Sequence, residues 1–212
     1  MTGILHFETF LLTAILLNIT PGNDTIFILS RSIAQGRKAG IVSALGIGTG
    51  TLIHTLLAAF GLSIIISESI LLFNLIKYAG AAYIIYIGLQ MLFGKSQLNT
   101  AINTSSSSAN YVKIYRDGII TNVLNPKVAL FFIAFLPQFI DPGLKNTVWP
   151  FLTLGLTFIT TGTTWCLILA FFASAFFARL KHNHTISGYI NKFCGLTLVA
   201  LGIKVALTNR RG

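Results

Sequence analysis

The chain alternates long apolar runs with short polar gaps. Six runs are close to 20 residues or longer, which is the length that an α-helix needs to cross ~30 Å of hydrocarbon. They are Ile4–Ile33, Ile41–Ser67, Ile70–Phe93, Ile119–Ile140, Val148–Ala178 and Ile190–Leu207. The pattern predicts an all-α integral membrane protein with six transmembrane helices and a single transporter domain over residues 1–212.

Proline interrupts two of these runs. Pro21 lies within the first run and Pro126 within the fourth. Proline removes a backbone donor and breaks the hydrogen-bond ladder of a helix, and inside a bilayer the freed groups need partners from the protein or from a bound molecule. Matching breaks in two halves of a chain point to a substrate site near the midplane. We therefore expect a transporter whose first and fourth helices are broken.

The longest polar stretch divides the chain nearly in half. It runs from Lys95 to Lys113, is rich in Ser and Asn, and has the composition of a flexible linker. We expect a first repeat over about residues 1–95, a cytoplasmic linker over about 96–113, and a second repeat over about 114–212. Because each half then holds three spans, the second half enters the membrane from the opposite side.

Further likenesses relate the two halves. Lys77-Tyr-Ala-Gly80 opens the third run and Lys192-Phe-Cys-Gly195 opens the sixth, and Gly88 and Gly202 follow them. Glycine is also common wherever membrane helices pack closely. Taken with the two prolines, these segments predict two inverted three-helix repeats.

Charge gives the orientation. The net charge is +10, from 15 Lys and Arg against 5 Asp and Glu. The basic residues concentrate in the odd-numbered gaps, at Arg31, Arg37, Lys38, Lys95, Lys113, Arg116, Arg179 and Lys181. Lys and Arg favour the cytoplasmic side, so we expect both termini outside, against the signal of Arg210 and Arg211. The basic residues of the gaps therefore determine topology in the lipid bilayer, and no nucleic-acid partner is expected.

Spacing from these charges estimates the depth of the breaks. Pro21 precedes Arg31 by ten residues and Pro126 follows Arg116 by ten, or ~15 Å of helix at 1.5 Å per residue. Both breaks should therefore lie near the midplane of the membrane, in a multi-pass protein. No basic residue precedes the first run and no small-residue cleavage pattern follows it, so we expect no removable signal peptide.

Asp24 is the acid predicted to lie deepest, ~10 Å inside the cytoplasmic boundary set by Arg31. An ionisable residue at such depth normally faces a cavity or a partner. Asp24 could bind a substrate ammonium, carry a coupling proton, or form an ion pair with Lys127. Lys127 could in turn meet a substrate carboxylate, reach an interface, or neutralise Asp24.

The backbone at each break adds to the site. Half-helices that begin after a break present unpaired N–H groups and a positive dipole end, which suit a carboxylate, and the opposite ends present carbonyls, which suit an ammonium. This inventory fits a zwitterion such as an α-amino acid. The predicted substrate-binding residues are Asn18, Thr20, Pro21, Gly22, Asn23, Asp24, Asn122, Asn125, Pro126 and Lys127.

Other polar features of the spans have alternative explanations. His54 could join Asp24 in proton coupling or could simply bond a neighbouring helix. Gly46-Ile-Gly48-Thr-Gly50 lacks a preceding strand, so close helix packing explains it better than a nucleotide loop. Cys166 and Cys194 show no Cys-x-x-Cys spacing and are expected to be packing residues. We expect neither a metal nor a cofactor.

The ordered motifs resemble the LysE/RhtB-type amino-acid exporter family, which includes lysine, threonine and homoserine exporters. They are Thr20-Pro21-Gly22-Asn23-Asp24, Gly36-Arg37-Lys38-Ala39-Gly40, Gly46-Ile-Gly48-Thr-Gly50 with His54, Tyr78-Ala-Gly80-Ala-Ala-Tyr83 with Tyr86 and Gly88, and Asn125-Pro126-Lys127. The resemblance implies six helices, two repeats, and ion-driven export of small amino acids or their derivatives, with protons as the coupling ion. The family commonly has Pro-Gly-Pro where this chain has Asn23 in the third position.

Two other functions are alternatives. Export of metal ions or other small solutes predicts clustered thiols, imidazoles or carboxylates, and the sequence has only scattered ones. A membrane thiol-electron conduit needs cysteines beside the proline breaks, and Cys166 and Cys194 are placed in other runs.

Among amino acids we expect a neutral one, because basic side chains need further acids in the cavity. Glu8, Glu68, Asp117 and Asp141 are all predicted near span ends. The glycine-rich helix faces also permit a homodimer.

Overall fold

The computed structural model describes residues 3–62, 70–93, 109–141, 143–144 and 148–182, together with residues 192, 195–197, 199–200, 202–203 and 206–207. Every regular element within these ranges is helical. The helices are α1 (Phe7–Ile19), α2 (Asn23–Gln35), α3 (Arg37–Leu57), α4 (Ile70–Phe93), α5 (Tyr111–Val123), α6 (Pro126–Leu130) and α7 (Val148–His182). A π-helical turn, Ala58–Leu62, extends α3, and a π-helical and a 3-10 turn, Phe131–Phe135 and Leu136–Phe139, extend α6.

Both predicted breaks are present. α1 and α2 meet at 47° on either side of Pro21, and α5 meets the helix that begins at Pro126 at the same angle of 47°. Two described helices, Arg37–Leu62 and Val148–Ala173, are long and apolar enough to cross a membrane, and the number rises to four if each bent pair is one span. Much of the sixth predicted span, and residues 96–108 of the predicted linker, lie outside the described residues.

One helix boundary differs from its prediction. α5 begins at Tyr111, so residues 111–113, which the sequence assigned to the linker, are helical. The cause is local, because Asn110 caps the helix by accepting a hydrogen bond from the backbone N–H of Lys113 at 3.0 Å.

Basic side chains from separate parts of the chain gather at one end of the helix bundle. Arg31, near the end of α2, pairs with Asp117 of α5 at 3.3 Å. Lys38 lies over the ring of Tyr111 at 5.0 Å, and Arg37 lies over the ring of Phe171 at 5.2 Å. This basic end therefore joins α2, α3, α5 and the later part of α7.

The opposite end is closed by backbone pairing and aromatic rings. The N–H of Leu5 donates to the carbonyl of Phe139 at 2.7 Å, and the N–H of Asp141 donates to Gly3 at 3.0 Å. The ring of Phe10 meets that of Phe139 edge to face, with centroids 5.3 Å apart. We call this the aromatic end.

Two apolar cores lie along the bundle. The larger one, toward the aromatic end, is built around Phe10, Phe131, Phe132, Phe135, Phe139, Phe151 and Phe158. The smaller one, toward the basic end, contains Ile28, Ala44, Ile47, Cys166, Leu169 and Ala170. The helix breaks lie between these two cores.

Glycines bring α3 and α5 close together, as the sequence predicted for the Gly46–Gly50 segment. A Cβ on Gly46 would overlap the carbonyl oxygen of Tyr115, and one on Gly118 would lie 3.0 Å from the carbonyl of Ser43. A Cβ on Gly50 would lie 2.7 Å from the side chain of Asn122. The contact holds Asn122 against α3, which matters for the site.

α4 packs antiparallel against the described part of the sixth run. A Cβ on Gly88 would lie 2.7 Å from the carbonyl of Gly195, and one on Gly202 would lie 2.9 Å from the carbonyl of Ala81. Residue numbers thus rise along one segment as they fall along its neighbour. Gly88 also meets Val199, whose Cγ2 would lie 2.7 Å from the added Cβ.

Replacing Gly46 by alanine should lower stability, because the new methyl group meets fixed backbone of α5 and overpacking of this kind costs about 1–3 kcal/mol. Gly61 is the matched control, since a Cβ there would meet no atom of the described residues within 4 Å. The melting temperature of the purified protein in detergent should fall for Gly46→Ala and stay level or rise for Gly61→Ala. Equal melting temperatures would contradict the close packing of α3 and α5.

Candidate transport site

At the first break, the carboxyl end of α1 is satisfied by a side chain from the other half of the chain. The ammonium of Lys127 donates to the carbonyls of Leu17 at 3.1 Å and Thr20 at 2.9 Å. Thr20 is buried, and its hydroxyl donates a hydrogen bond to the carbonyl of Leu16 at 2.7 Å. A cation at a helix C-terminus also meets the negative end of the helix dipole. Gly22 lies beside Lys127, and a Cβ there would be in ordinary contact with Nζ at 3.4 Å.

At the second break, the chain caps the new helix itself. The side-chain oxygen of Asn125 accepts a hydrogen bond from the backbone N–H of Lys127 at 3.1 Å, and Pro126 occupies the first helical position, where no N–H is needed. α2 has no such side-chain cap: its N-cap is Gly22. The two breaks are therefore alike in angle but different in how their backbone groups are satisfied.

Asp24 stands in the first turn of α2 and is held from α5. The amide of Asn122 donates to Asp24 Oδ2 at 2.9 Å, and the amide oxygen of Asn122 accepts from Thr51 at 3.3 Å. His54 Nε2 lies 3.3 Å from the backbone carbonyl of Asn122, and its ring stacks on Phe132 with centroids 5.8 Å apart. His54 is thus bonded to a neighbouring helix, one of its two predicted roles, and Asn122 links it to Asp24.

A cavity of about 30 Å³ lies between the breaks, with room for about two water molecules. Its walls combine polar residues with members of both apolar cores. They are Asn18, Asp24, Thr25, Ile47, Gly48, Thr51, Asn122, Lys127, Val128, Phe158, Gly162, Thr163, Trp165 and Cys166.

Two polar atoms of residues in this wall are buried and have no hydrogen-bond partner among the described residues. They are Asp24 Oδ1, an acceptor, and Trp165 Nε1, a donor. Most buried polar groups in proteins are hydrogen-bonded, and leaving one unpaired costs about 1–3 kcal/mol. An unpaired acceptor and an unpaired donor in one cavity are what a molecule carrying both a donor and an acceptor would satisfy.

The structure brings some of the predicted binding residues together and separates others. Asn18, Asp24, Asn122 and Lys127 line the cavity. The remaining six, Thr20, Pro21, Gly22, Asn23, Asn125 and Pro126, shape the breaks without lining it. Asn23 is exposed, whereas Asn125 is buried, and its amide nitrogen has no partner in the described part of the chain.

α3 and α7 contribute wall residues that the sequence did not single out. Gly48 and Gly162 face polar neighbours: added Cβ atoms would lie 2.9 Å from the hydroxyl of Thr163 and 3.1 Å from the amide oxygen of Asn18. Trp165 is a further residue of this kind, because a tryptophan in an apolar run gives no local signal of a role in binding. Cys166 lies in the smaller apolar core, as expected of a packing residue, and it also lines the cavity, which run order alone does not reveal.

No three His, Cys, Asp or Glu side chains in the described ranges lie close enough to hold a metal ion. The nearest acid to the basic end, Asp117, is engaged by Arg31 and, at 3.7 Å, by Arg116.

Comparison with known proteins gives relatives that cover nearly the whole chain. The chain is 33% identical over 202 residues to the uncharacterized membrane protein YrhP of Bacillus subtilis (strain 168), covering 92% of this chain and 95% of that one. It is 29% identical over 205 residues to the leucine efflux protein of Enterobacter sp. (strain 638), covering 96% of each. The leucine efflux protein of Salmonella choleraesuis (strain SC-B67) is 31% identical over 162 residues, 76% of this chain and 73% of that protein. No solved structure matches.

A family model described as LysE type translocator matches residues 15–209 of the 212. The matched region contains both breaks and every residue of the cavity wall. The protein is accordingly a membrane translocator and not an enzyme, and the chain belongs to the LysE type translocator family.

Proposed function

We propose that the protein exports small neutral amino acids from the cytoplasm as a secondary transporter. The observation that carries the proposal is the carboxylate of Asp24 in a cavity between two helix breaks, with one oxygen fixed by Asn122 and the other without a partner among the described residues. A substrate ammonium would pair with that carboxylate and donate a hydrogen bond to its second oxygen. The leucine efflux proteins among the relatives support the same substrate class.

A neutral substrate follows from the charges around the cavity. Asp24 is the one acid among its wall residues, and an α-ammonium group would occupy it. A lysine or arginine substrate would bring a second cation next to Lys127 with no second carboxylate to meet it. Burying an unpaired charge in this way is costly, so basic amino acids should be poor substrates.

Six spans in two inverted repeats are the architecture that we propose for this transporter. Two observations support it: the equal bends at the two breaks, and the pattern of contacts between α4 and the sixth run. With an offset of 115 residues, Gly195 is the counterpart of Gly80 and Gly202 is the counterpart of residue 87. Gly88 therefore contacts the counterpart of Gly80, and Ala81 contacts the counterpart of residue 87. Such reciprocal contacts are expected across a two-fold axis.

The protein is proposed to lie in the bacterial inner membrane with the basic end facing the cytoplasm. Arg31, Arg37, Lys38 and Arg116 gather there from two different gaps, in agreement with the preference of basic residues for that side. Substrate would enter past the contact between Arg31 and Asp117 and leave past Phe10 and Phe139. The cavity must enlarge on the way, because about 30 Å³ holds no amino acid.

Proton coupling is proposed to use Asp24 and His54. Asn122 touches both, through its amide at Asp24 and through its carbonyl at His54. Protonation of Asp24 would remove the charge that holds the ammonium, so a proton and a substrate would exclude one another. Mutual exclusion at one carboxylate is the simplest basis for proton antiport.

Asp24→Asn should reduce efflux by about tenfold or more, because the amide keeps the shape of the side chain but cannot hold an ammonium by charge. Cells loaded with a dipeptide panel would report efflux of each amino acid. Asp141→Asn is the matched control, because Asp141 lies at the aromatic end and bonds the backbone of Gly143. Normal efflux by Asp24→Asn, or lysine as the best substrate of the wild type, would refute the proposed site.

His54→Gln should separate transport from its driving force. In proteoliposomes the variant should still exchange labelled for unlabelled leucine, since the cavity wall is unchanged, but a pH gradient should no longer drive net movement. His6→Gln, at the exposed start of α1, should behave like the wild type. Full pH-driven transport by His54→Gln would remove His54 from the coupling mechanism.

The orientation can be tested with single cysteines in a background without Cys166 and Cys194. Lys38→Cys and Gly143→Cys place thiols at exposed positions of the basic and aromatic ends. A membrane-impermeant maleimide added to intact cells should label residue 143 at once and residue 38 only after permeabilisation. The reverse labelling would invert the proposed topology.

A further inference from the structure

The carboxylate of a zwitterionic substrate needs a donor, and neither the second break nor the Lys127 side chain readily supplies one. Lys127 was the side-chain candidate, yet its ammonium is directed at the carbonyls of Leu17 and Thr20. Moving it away would leave those two carbonyls of α1 to find other partners in apolar surroundings, which is unfavourable. The first backbone N–H of α6 beyond its proline is also taken, by Asn125.

Trp165 of α7 lines the same cavity and carries a hydrogen-bond donor. The indole N–H can donate but cannot accept, and Trp165 Nε1 is buried without a partner among the described residues. Asp24 Oδ1 is the complementary case, because it is a buried acceptor to which no described residue donates a hydrogen bond. Both residues line one cavity, so a single molecule with an ammonium and a carboxylate would satisfy both atoms.

We propose that Trp165 binds the carboxylate of the transported amino acid through its indole N–H, while Asp24 binds the ammonium. This assignment rests on the proposed function and deepens it. α7 becomes part of the binding site, and the substrate bridges a broken helix of the first repeat and an unbroken helix of the second.

The rest of the wall indicates which substrate side chain fits. Ile47, Val128 and Phe158 are buried apolar residues from three different elements, and Gly48 and Gly162 add no side chains of their own. An aliphatic substrate side chain would pack against these apolar residues. A polar side chain would instead lose its hydrogen bonds to water on entering the site. The site therefore favours an aliphatic amino acid.

Binding of two matched ligands tests the role of Trp165. L-leucine and 3-methylbutylamine share a carbon skeleton and an amine, but only leucine has a carboxylate. Trp165→Phe removes the N–H and keeps an aromatic ring, and calorimetry in nanodiscs would measure both affinities. Leucine should bind about tenfold or more weakly to the variant, as expected for a lost hydrogen bond to a charged group, while the affinity for the amine should not change.

Trp149 provides the control, because the chain has two tryptophans and Trp149 is 71% exposed at the start of α7. Trp149→Phe should bind both ligands like the wild type. It also leaves Trp165 as the sole tryptophan, and its fluorescence should shift when leucine is added.

Each remaining outcome counts against a defined claim. If Trp165→Phe weakens both ligands equally, or neither, the N–H does not hold the carboxylate and this inference is wrong, although the wild type still binds and exports leucine. If the wild type neither binds nor exports any amino acid of the panel, the proposed function fails, and the assignment of Trp165 fails with it.

Discussion

The structure depends on how two interrupted helices satisfy their backbone groups among apolar side chains. Each break leaves carbonyls on one side and N–H groups on the other, and unpaired groups are costly in such surroundings. At the first break, Lys127 of the second half serves the carbonyls of Leu17 and Thr20. Near the second break, the side-chain amide of Asn122 donates a hydrogen bond to the carboxylate of Asp24 in the first half. The two halves are therefore joined by these side chains, and the first break depends on the second half, whereas the second break caps its own helix through Asn125.

This reciprocity also explains where the cavity lies. The polar residues of the breaks cannot join either apolar core, so they collect where the two cores meet, and the cavity wall draws on both: Phe158 from one and Ile47 from the other. Glycines on α3 make the arrangement possible, because Gly50 admits the side chain of Asn122. Enlarging the cavity must therefore disturb the same contacts that hold Asp24 in place.

The sequence predicted what depends on local chemistry. Proline ends a helix whatever surrounds it, so the breaks at Pro21 and Pro126 could be predicted, and a lone acid such as Asp24 in an apolar run is conspicuous. Trp165 and Cys166 could not be assigned in this way, since an apolar run carries no sign of which side faces a cavity. The bonds of Lys127 were also missed. They depend on the angle at which the second break approaches α1, and that angle is a property of packing.

The two ends of the bundle are held by forces of different physical kinds. The contact between Arg31 and Asp117 is a partly exposed ion pair, which weakens as ionic strength rises. The contact between Phe10 and Phe139 is between aromatic rings and carries no net charge for salt to screen. In the proposed transport cycle the energy landscape would then be asymmetric: the ionic composition of the compartment at the basic end would set how readily that end opens, while the aromatic end would respond mainly to temperature and to the surrounding lipid.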